Sequence, residues 1–62
     1  MTDTQKNISM YVINQLRKER FIEEDDIIEW VNKFSTIIPL TTGEKKEVVE
    51  DVQSKMRIKM MN

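Results

Sequence analysis

The sequence predicts a small all-α protein: one domain of three helices, spanning residues 1–62, that self-associates. Apolar residues recur at the three-to-four-residue spacing of amphipathic helices in three successive segments. The 62 residues include only one glycine and one proline, so few turns interrupt the helices. We therefore expect helices at about residues 4–20, 24–38 and 42–60, with frayed ends at 1–3 and 61–62.

The first helix is expected to begin after a cap at Thr4. Its apolar stripe has helical spacing and consists of Ile8, Val12, Ile13 and Leu16. Tyr11 lies at one margin of this stripe, whereas Met10 falls on the side that should face solvent. The last turn carries three basic side chains, which oppose the negative end of the helix dipole: Arg17, Lys18 and Arg20.

The second helix has the strongest start signal and the widest apolar surface. Glu23 is the expected cap, acidic residues fill the first turn, and Ile22 can pack on Ile27 as a hydrophobic staple. Four apolar residues fall on one line and are expected to be buried: Ile27, Val31, Phe34 and Ile38. With Trp30, Ile37 and Ile28 beside this line, the apolar arc covers about half the circumference. We expect this helix to lie between the other two, with Trp30 toward an edge and Pro39 ending the helix.

The third helix is predicted to start at Thr42, because Thr41 and Glu44 have the spacing of a capping box. Its stripe is narrower and consists of Val48, Val49, Val52, Met56 and Met60. Two i,i+4 ion pairs are expected on its surface, Lys46 with Glu50 and Asp51 with Lys55. An up-down-up bundle would place the ends of helices 1 and 3 side by side. The alternative, a projecting helix 3 that pairs with its copy, is disfavoured because heptads are not sustained.

Composition excludes several classes of site. Cysteine and histidine are both absent, so disulfides and thiolate or imidazole metal sites are impossible. The acidic run 23–26 lacks the spaced ligands and central glycine of a calcium loop. No nucleophile elbow or pair of contrasting titratable groups is present. We predict no enzyme activity, no cofactor, no metal and no membrane association, and a cytoplasmic location.

Protein binding is the function that the sequence favours. Met10, Tyr11 and Ile13 cannot all face a core that Ile8 and Val12 already face. Methionine is adaptable on binding surfaces, and tyrosine and tryptophan are common anchors. We predict a small regulator, inhibitor or adaptor of bacterial or phage type, a homodimer that binds another protein through these residues: Met10, Tyr11, Ile13, Trp30, Ile58, Met60 and Met61.

The alternative is a DNA-binding transcriptional regulator. The ends of helices 1 and 3 would supply its basic patch: Arg17, Lys18, Arg20, Lys55, Arg57 and Lys59. Both possible recognition helices begin with carboxylates, which phosphates repel. A net charge of −1, from ten basic and eleven acidic side chains, adds no long-range attraction for nucleic acid. Nucleic-acid binding is therefore the less favoured hypothesis.

Overall fold

Three α-helices make up the computed structural model, which describes residues 1–19 and 23–56. They are α1 (Asp3–Leu16), α2 (Glu24–Ile37) and α3 (Thr42–Met56). No strand occurs in the described ranges. The predicted all-α, three-helix fold is confirmed.

The start of α1 differs from the prediction, because Thr2 rather than Thr4 is the N-cap. The Thr2 hydroxyl oxygen accepts a hydrogen bond from the Gln5 N–H at 3.2 Å, and Gln5 Oε1 accepts one from the Thr2 N–H at 2.8 Å. These two bonds form a reciprocal capping box. Thr4 has no glutamate or glutamine three positions later and cannot complete such a box.

The end of α1 also differs, because the helix stops at Leu16 instead of continuing to Arg20. The N–H groups of Lys18 and Glu19 donate to carbonyls only three residues back. Leu16 is fully buried, whereas residues 17–19 are exposed. Since short helices depend on packing of an apolar face, the helix ends where that packing ends.

The predicted starts of α2 and α3 are confirmed. The Asp26 carboxylate accepts from the Glu23 N–H at 2.9 Å, in the first turn of α2. At α3, Thr41 and Glu44 exchange both bonds of the capping box, at 2.9 and 3.2 Å. The proposed Ile22 staple lies outside the described residues.

The end of α2 corrects the predicted burial of Ile38. This residue is the C-cap and has extended backbone angles, φ −123° and ψ 98°. The following proline disfavours helical geometry at this position. The extended backbone takes Ile38 off the helical line, and its side chain is 39% exposed rather than part of the core.

Side-chain contacts show that α1 and α3 run in the same direction. Gln5 contacts Glu47, and Ser9 contacts Asp51. A move of four residues toward the C-terminus of α1 therefore corresponds to a move of four residues toward the C-terminus of α3. The short connection 38–41 returns the chain from α2 to the start of α3, as an up-down-up bundle requires. The buried core lies where the three helices meet and consists of Ile8, Val12, Leu16, Ile27, Val31, Val48 and Val52.

Candidate functional site

A surface groove runs between α1 and α3 and encloses about 590 Å³. We call it the α1–α3 groove. One wall is formed by α1 and its C-cap, Arg17, through side chains spaced by four, three and four positions. These are Lys6, Met10, Ile13 and Arg17, with Asn14 beside them. Asp51 and Lys55 line the α3 wall, and Met1 lies at one end. The groove therefore combines an apolar centre with basic side chains on both walls.

A polar network joins the two walls. The buried Ser9 hydroxyl donates to Asp51 Oδ2 at 2.5 Å, and Lys55 Nζ lies 3.0 Å from the same oxygen. Burial raises the pKa of Asp51, but the hydrogen bonds from Ser9 and Lys55 outweigh burial and hold that pKa below its ordinary value. Asp51 is therefore a carboxylate whose charge is already compensated within the protein.

The other basic side chains of the groove have no such partner within residues 1–19 and 23–56. The ion pairs there are Lys33 with Glu29 and Lys55 with Asp51, both within one helix. Lys6 and Arg17 line the groove without pairing to a described carboxylate. No salt bridge joins the acidic start of α2 to the basic helix ends within those ranges, and the predicted pair of Lys46 with Glu50 is not formed there either.

A second apolar surface lies on the α1–α2 side. The rings of Tyr11 and Trp30 each lie 5.8 Å from the Phe34 ring, and Lys33 Nζ is 4.7 Å from the centre of the Trp30 ring. Ile37 continues the same side of α2 at helical spacing and is 76% exposed. We call Tyr11, Trp30, Phe34 and Ile37 the aromatic face.

A smaller groove of about 290 Å³ lies between α2 and α3. Ile28 and Val49 supply its apolar lining, with Lys45, Lys46 and Glu24 around them. Neither Ile28 nor Val49 was among the predicted binding residues.

The structure separates the predicted protein-binding residues. Met10 is 57% exposed in the α1–α3 groove, where Ile13 is half-buried and also packs against the core. Tyr11 is 50% exposed but belongs to the aromatic face, as does the half-buried Trp30. The other three, Ile58, Met60 and Met61, lie outside the described residues.

The predicted basic patch is brought together only in part. Arg17 and Lys55 line the same groove, as the parallel α1 and α3 predict, while Lys18 is exposed beyond the end of α1. The remaining members, Arg20, Arg57 and Lys59, lie outside the described residues.

Sequence reasoning missed Lys6 and Asp51 as groove residues. The position of Lys6 could have been found, because it precedes Met10 by four residues on one helix. Asp51 was predicted only as a surface partner of Lys55. Its bond to Ser9 depends on the register between two helices, which neither helix specifies alone.

The described residues contain no group of three or more acidic side chains placed to hold a metal ion. Within the same ranges, none of the helices has the length and apolar character needed to cross a bilayer. Comparison of the chain with protein-family models, with curated proteins and with solved structures gives no match.

Proposed function

We propose that this protein is a small non-enzymatic regulator, inhibitor or adaptor, and that it binds another protein through the α1–α3 groove. The observation that carries the proposal is the exposed Met10 at the centre of this groove. Met10 stands with Ile13 between basic side chains that lack a described carboxylate partner. An apolar centre with a polar rim is the usual anatomy of a protein interface.

The chemistry of the groove supports binding better than catalysis. General acid–base chemistry needs titratable groups with contrasting pKa values near a substrate. The one carboxylate of the groove, Asp51, is held in its charged form by Ser9 and Lys55. Methionine, in contrast, adapts its shape to a partner at little cost. The absence of cysteine from the sequence supports a cytoplasmic setting as part of the proposal.

The proposal is tested by capture from a host lysate on three immobilised proteins: the wild type, Met10→Lys and Ile28→Lys. Both substitutions place a charge on an exposed apolar residue, but Ile28 lies in the α2–α3 groove. We expect a partner that the wild type and Ile28→Lys retain and that Met10→Lys loses. Circular dichroism of all three proteins checks that each is folded.

Equal retention of the same proteins by all three columns would contradict the proposed role of the groove. A loss with Ile28→Lys and not with Met10→Lys would move the binding site to the α2–α3 groove.

DNA binding is the second candidate, and one observation favours it: Arg17 and Lys55 line the same groove. Asp51 is paired with Lys55, and the start of α2 is acidic. Both features weaken the attraction for phosphate. Retention on random duplex at physiological salt, falling steeply as salt rises, would support DNA binding and contradict the protein-binding proposal.

The proposal also includes a homodimer formed through the aromatic face. Small domains bury a limited core and are often reinforced by association. Tyr11 and Ile37 are exposed on this face, and the nearby Lys33 is already paired with Glu29 at 3.4 Å. Because this face carries little unbalanced charge, two copies can pack like on like around a two-fold axis.

A further inference from the structure

The α1–α3 groove has a charge pattern that specifies the chemistry of its partner. Lys6 and Arg17 stand at opposite ends of one stripe on α1, with Met10 and Ile13 between them. Residues 6 and 17 are eleven positions apart, which corresponds to about 16 Å along a helix. Along the stripe, a cationic side chain, Lys6, is followed by two apolar side chains and then by a second cationic side chain, Arg17.

The recognition mode follows from what lines the groove. Addition of a strand needs a sheet edge, and no strand occurs in residues 1–19 or 23–56. Recognition of a polyproline helix uses a groove lined by aromatic rings. Those rings are on the other face of this protein, at Tyr11, Phe34 and Trp30. A seam between two parallel helices with an apolar floor instead suits a third helix.

A second copy of this chain fits the stripe poorly. A two-fold axis perpendicular to α1 would pair the two copies of α1 antiparallel and bring Lys6 opposite Arg17 of the other copy. A two-fold axis parallel to α1 would pair them parallel and bring each residue opposite the same residue of the other copy. Either arrangement sets like charges together at both ends of the contact, which is unfavourable. Asp51 offers little compensation, because its charge is already paired with Lys55.

We infer that the α1–α3 groove binds an acidic amphipathic helix of another protein. This inference rests on the proposed function and adds the chemistry of the partner. The partner helix inserts apolar side chains, at i and i+3 or i+4, against Met10 and Ile13. Its carboxylates lie about three turns apart and meet Lys6 and Arg17, since the two helices rise by the same distance per residue.

Two synthetic helices of about 16 residues test the inference. Both carry leucines at the inner positions on an alanine-rich background. One has glutamates about eleven positions apart on the leucine face, and the other has lysines there. Each peptide is labelled with fluorescein, and its affinity for the full chain is measured by fluorescence anisotropy. We expect the wild type to bind the glutamate peptide at least about tenfold more tightly than the lysine peptide.

Charge-reversed proteins supply the matched comparison. Lys6→Glu/Arg17→Glu reverses both ends of the stripe, while Lys18→Glu/Lys46→Glu changes the net charge equally outside the groove. We expect the first variant to prefer the lysine peptide and the second to keep the wild-type preference. Amide shifts in an ¹⁵N spectrum should then map to Met10 and Ile13.

Three results would overturn the inference. They are equal affinity for the two peptides, equal effects of the two double variants, and amide shifts centred on Ile28 and Val49.

Other outcomes separate this inference from DNA binding and from the proposed function. If the protein binds duplex DNA, shows no peptide preference, and loses DNA binding only in Lys6→Glu/Arg17→Glu, then Lys6 and Arg17 bind phosphate instead. If neither peptide binds while Met10→Lys still loses the host partner, the groove is a binding site and the acidic-helix chemistry is wrong. If Met10→Lys also keeps the host partner, the proposed function itself fails.

Discussion

Asp51 shows how a single residue connects stability with the candidate site. Its Oδ2 accepts from the buried Ser9 hydroxyl and lies 3.0 Å from Lys55 Nζ. Ser9 therefore has a partner that a buried hydroxyl requires, because an unsatisfied one costs about 1–3 kcal/mol. The same contacts fix Asp51 in the wall of the groove, between α1 and α3.

We predict that Asp51→Asn lowers stability at neutral pH by about 1 kcal/mol, because a neutral acceptor replaces a charged one. The folded-state pKa of Asp51 is below its ordinary value, so its charge stabilises the fold above the unfolded-state pKa of about 3.8. This stabilisation is lost as the pH falls through the lower folded-state pKa. Thermal unfolding of both proteins from pH 7 to pH 2 should show the difference shrink below about pH 4. A difference that stays constant over this range would mean that the charge is not responsible.

At the scale of the element, the ends of the helices are set by short local patterns. At the N-terminus of each of the three helices, the residue three positions after the cap completes a capping bond: Gln5, Asp26 and Glu44. Gln5 does more than cap α1, because its Nε2 donates to the Glu44 carbonyl and to Glu47 Oε1, both at 3.2 Å. One side chain thus starts α1 and ties it to the first turn of α3.

A pair of threonine variants distinguishes the observed cap from the predicted one. We expect Thr2→Ala to lower stability by about 1 kcal/mol, the usual cost of losing an N-cap. Thr4→Ala should change stability by less than about 0.5 kcal/mol, since alanine suits the first turn of a helix. In a domain of this size, about 1 kcal/mol shifts the melting temperature by about 4–8 °C. Equal melting temperatures for the two variants would count against the Thr2 cap.

Gly43 gives a stabilising prediction in α3. An added Cβ would meet no heavy atom within 4 Å, and the residue lies in the first turn of the helix. We expect Gly43→Ala to raise stability by about 0.5–1 kcal/mol, because alanine loses less backbone entropy than glycine. Chemical denaturation should show a higher midpoint with an unchanged slope. A lower midpoint would show that the first turn of α3 needs the glycine.

The sequence predicts a helix end when the interactions that set that end are local, and not when they come from tertiary packing. Caps are local patterns, so the sequence predicts those at Glu23 and Thr41, and the spacing of Thr2 and Gln5 is a pattern of the same kind. The early end of α1 after Leu16 depends on where packing against the other helices stops. The exposure of Ile38 depends on the extended backbone angles that the following Pro39 favours. Both are tertiary consequences that periodicity alone does not show.

At the scale of the whole molecule, the parallel arrangement of α1 and α3 creates the candidate site. The sequence indicated that Met10 does not belong to the core and that Arg17 and Lys55 should approach one another. The prediction assigned Met10 and Tyr11 to one set of protein-binding residues, whereas they lie on two different surfaces of the folded chain. That separation follows from the positions of α2 and α3 around α1, which depend on all three helices together.

The two surfaces predict different consequences for assembly. We expect sedimentation velocity at micromolar concentration to show a dimer for the wild type. Ile37→Lys should release monomer, because it places a charge in the aromatic face, while Met10→Lys should remain dimeric. Both residues are exposed, so neither substitution removes core packing. A monomeric wild type, or a dimer that Met10→Lys dissociates, would contradict this assignment of surfaces.

The bonds from Gln5 and Ser9 to α3 join segments that are far apart in the sequence. Both side chains are buried in the folded protein, and each finds its partner about forty residues further along the chain. A hairpin of α1 and α2 alone would lack Val48 and Val52 of α3, so the apolar core residues of α1 and α2 would remain partly exposed to water. We therefore expect partial structures to be unfavourable and the folding of this small domain to be all-or-none. During synthesis, the chain cannot settle into its native form until α3 has left the ribosome.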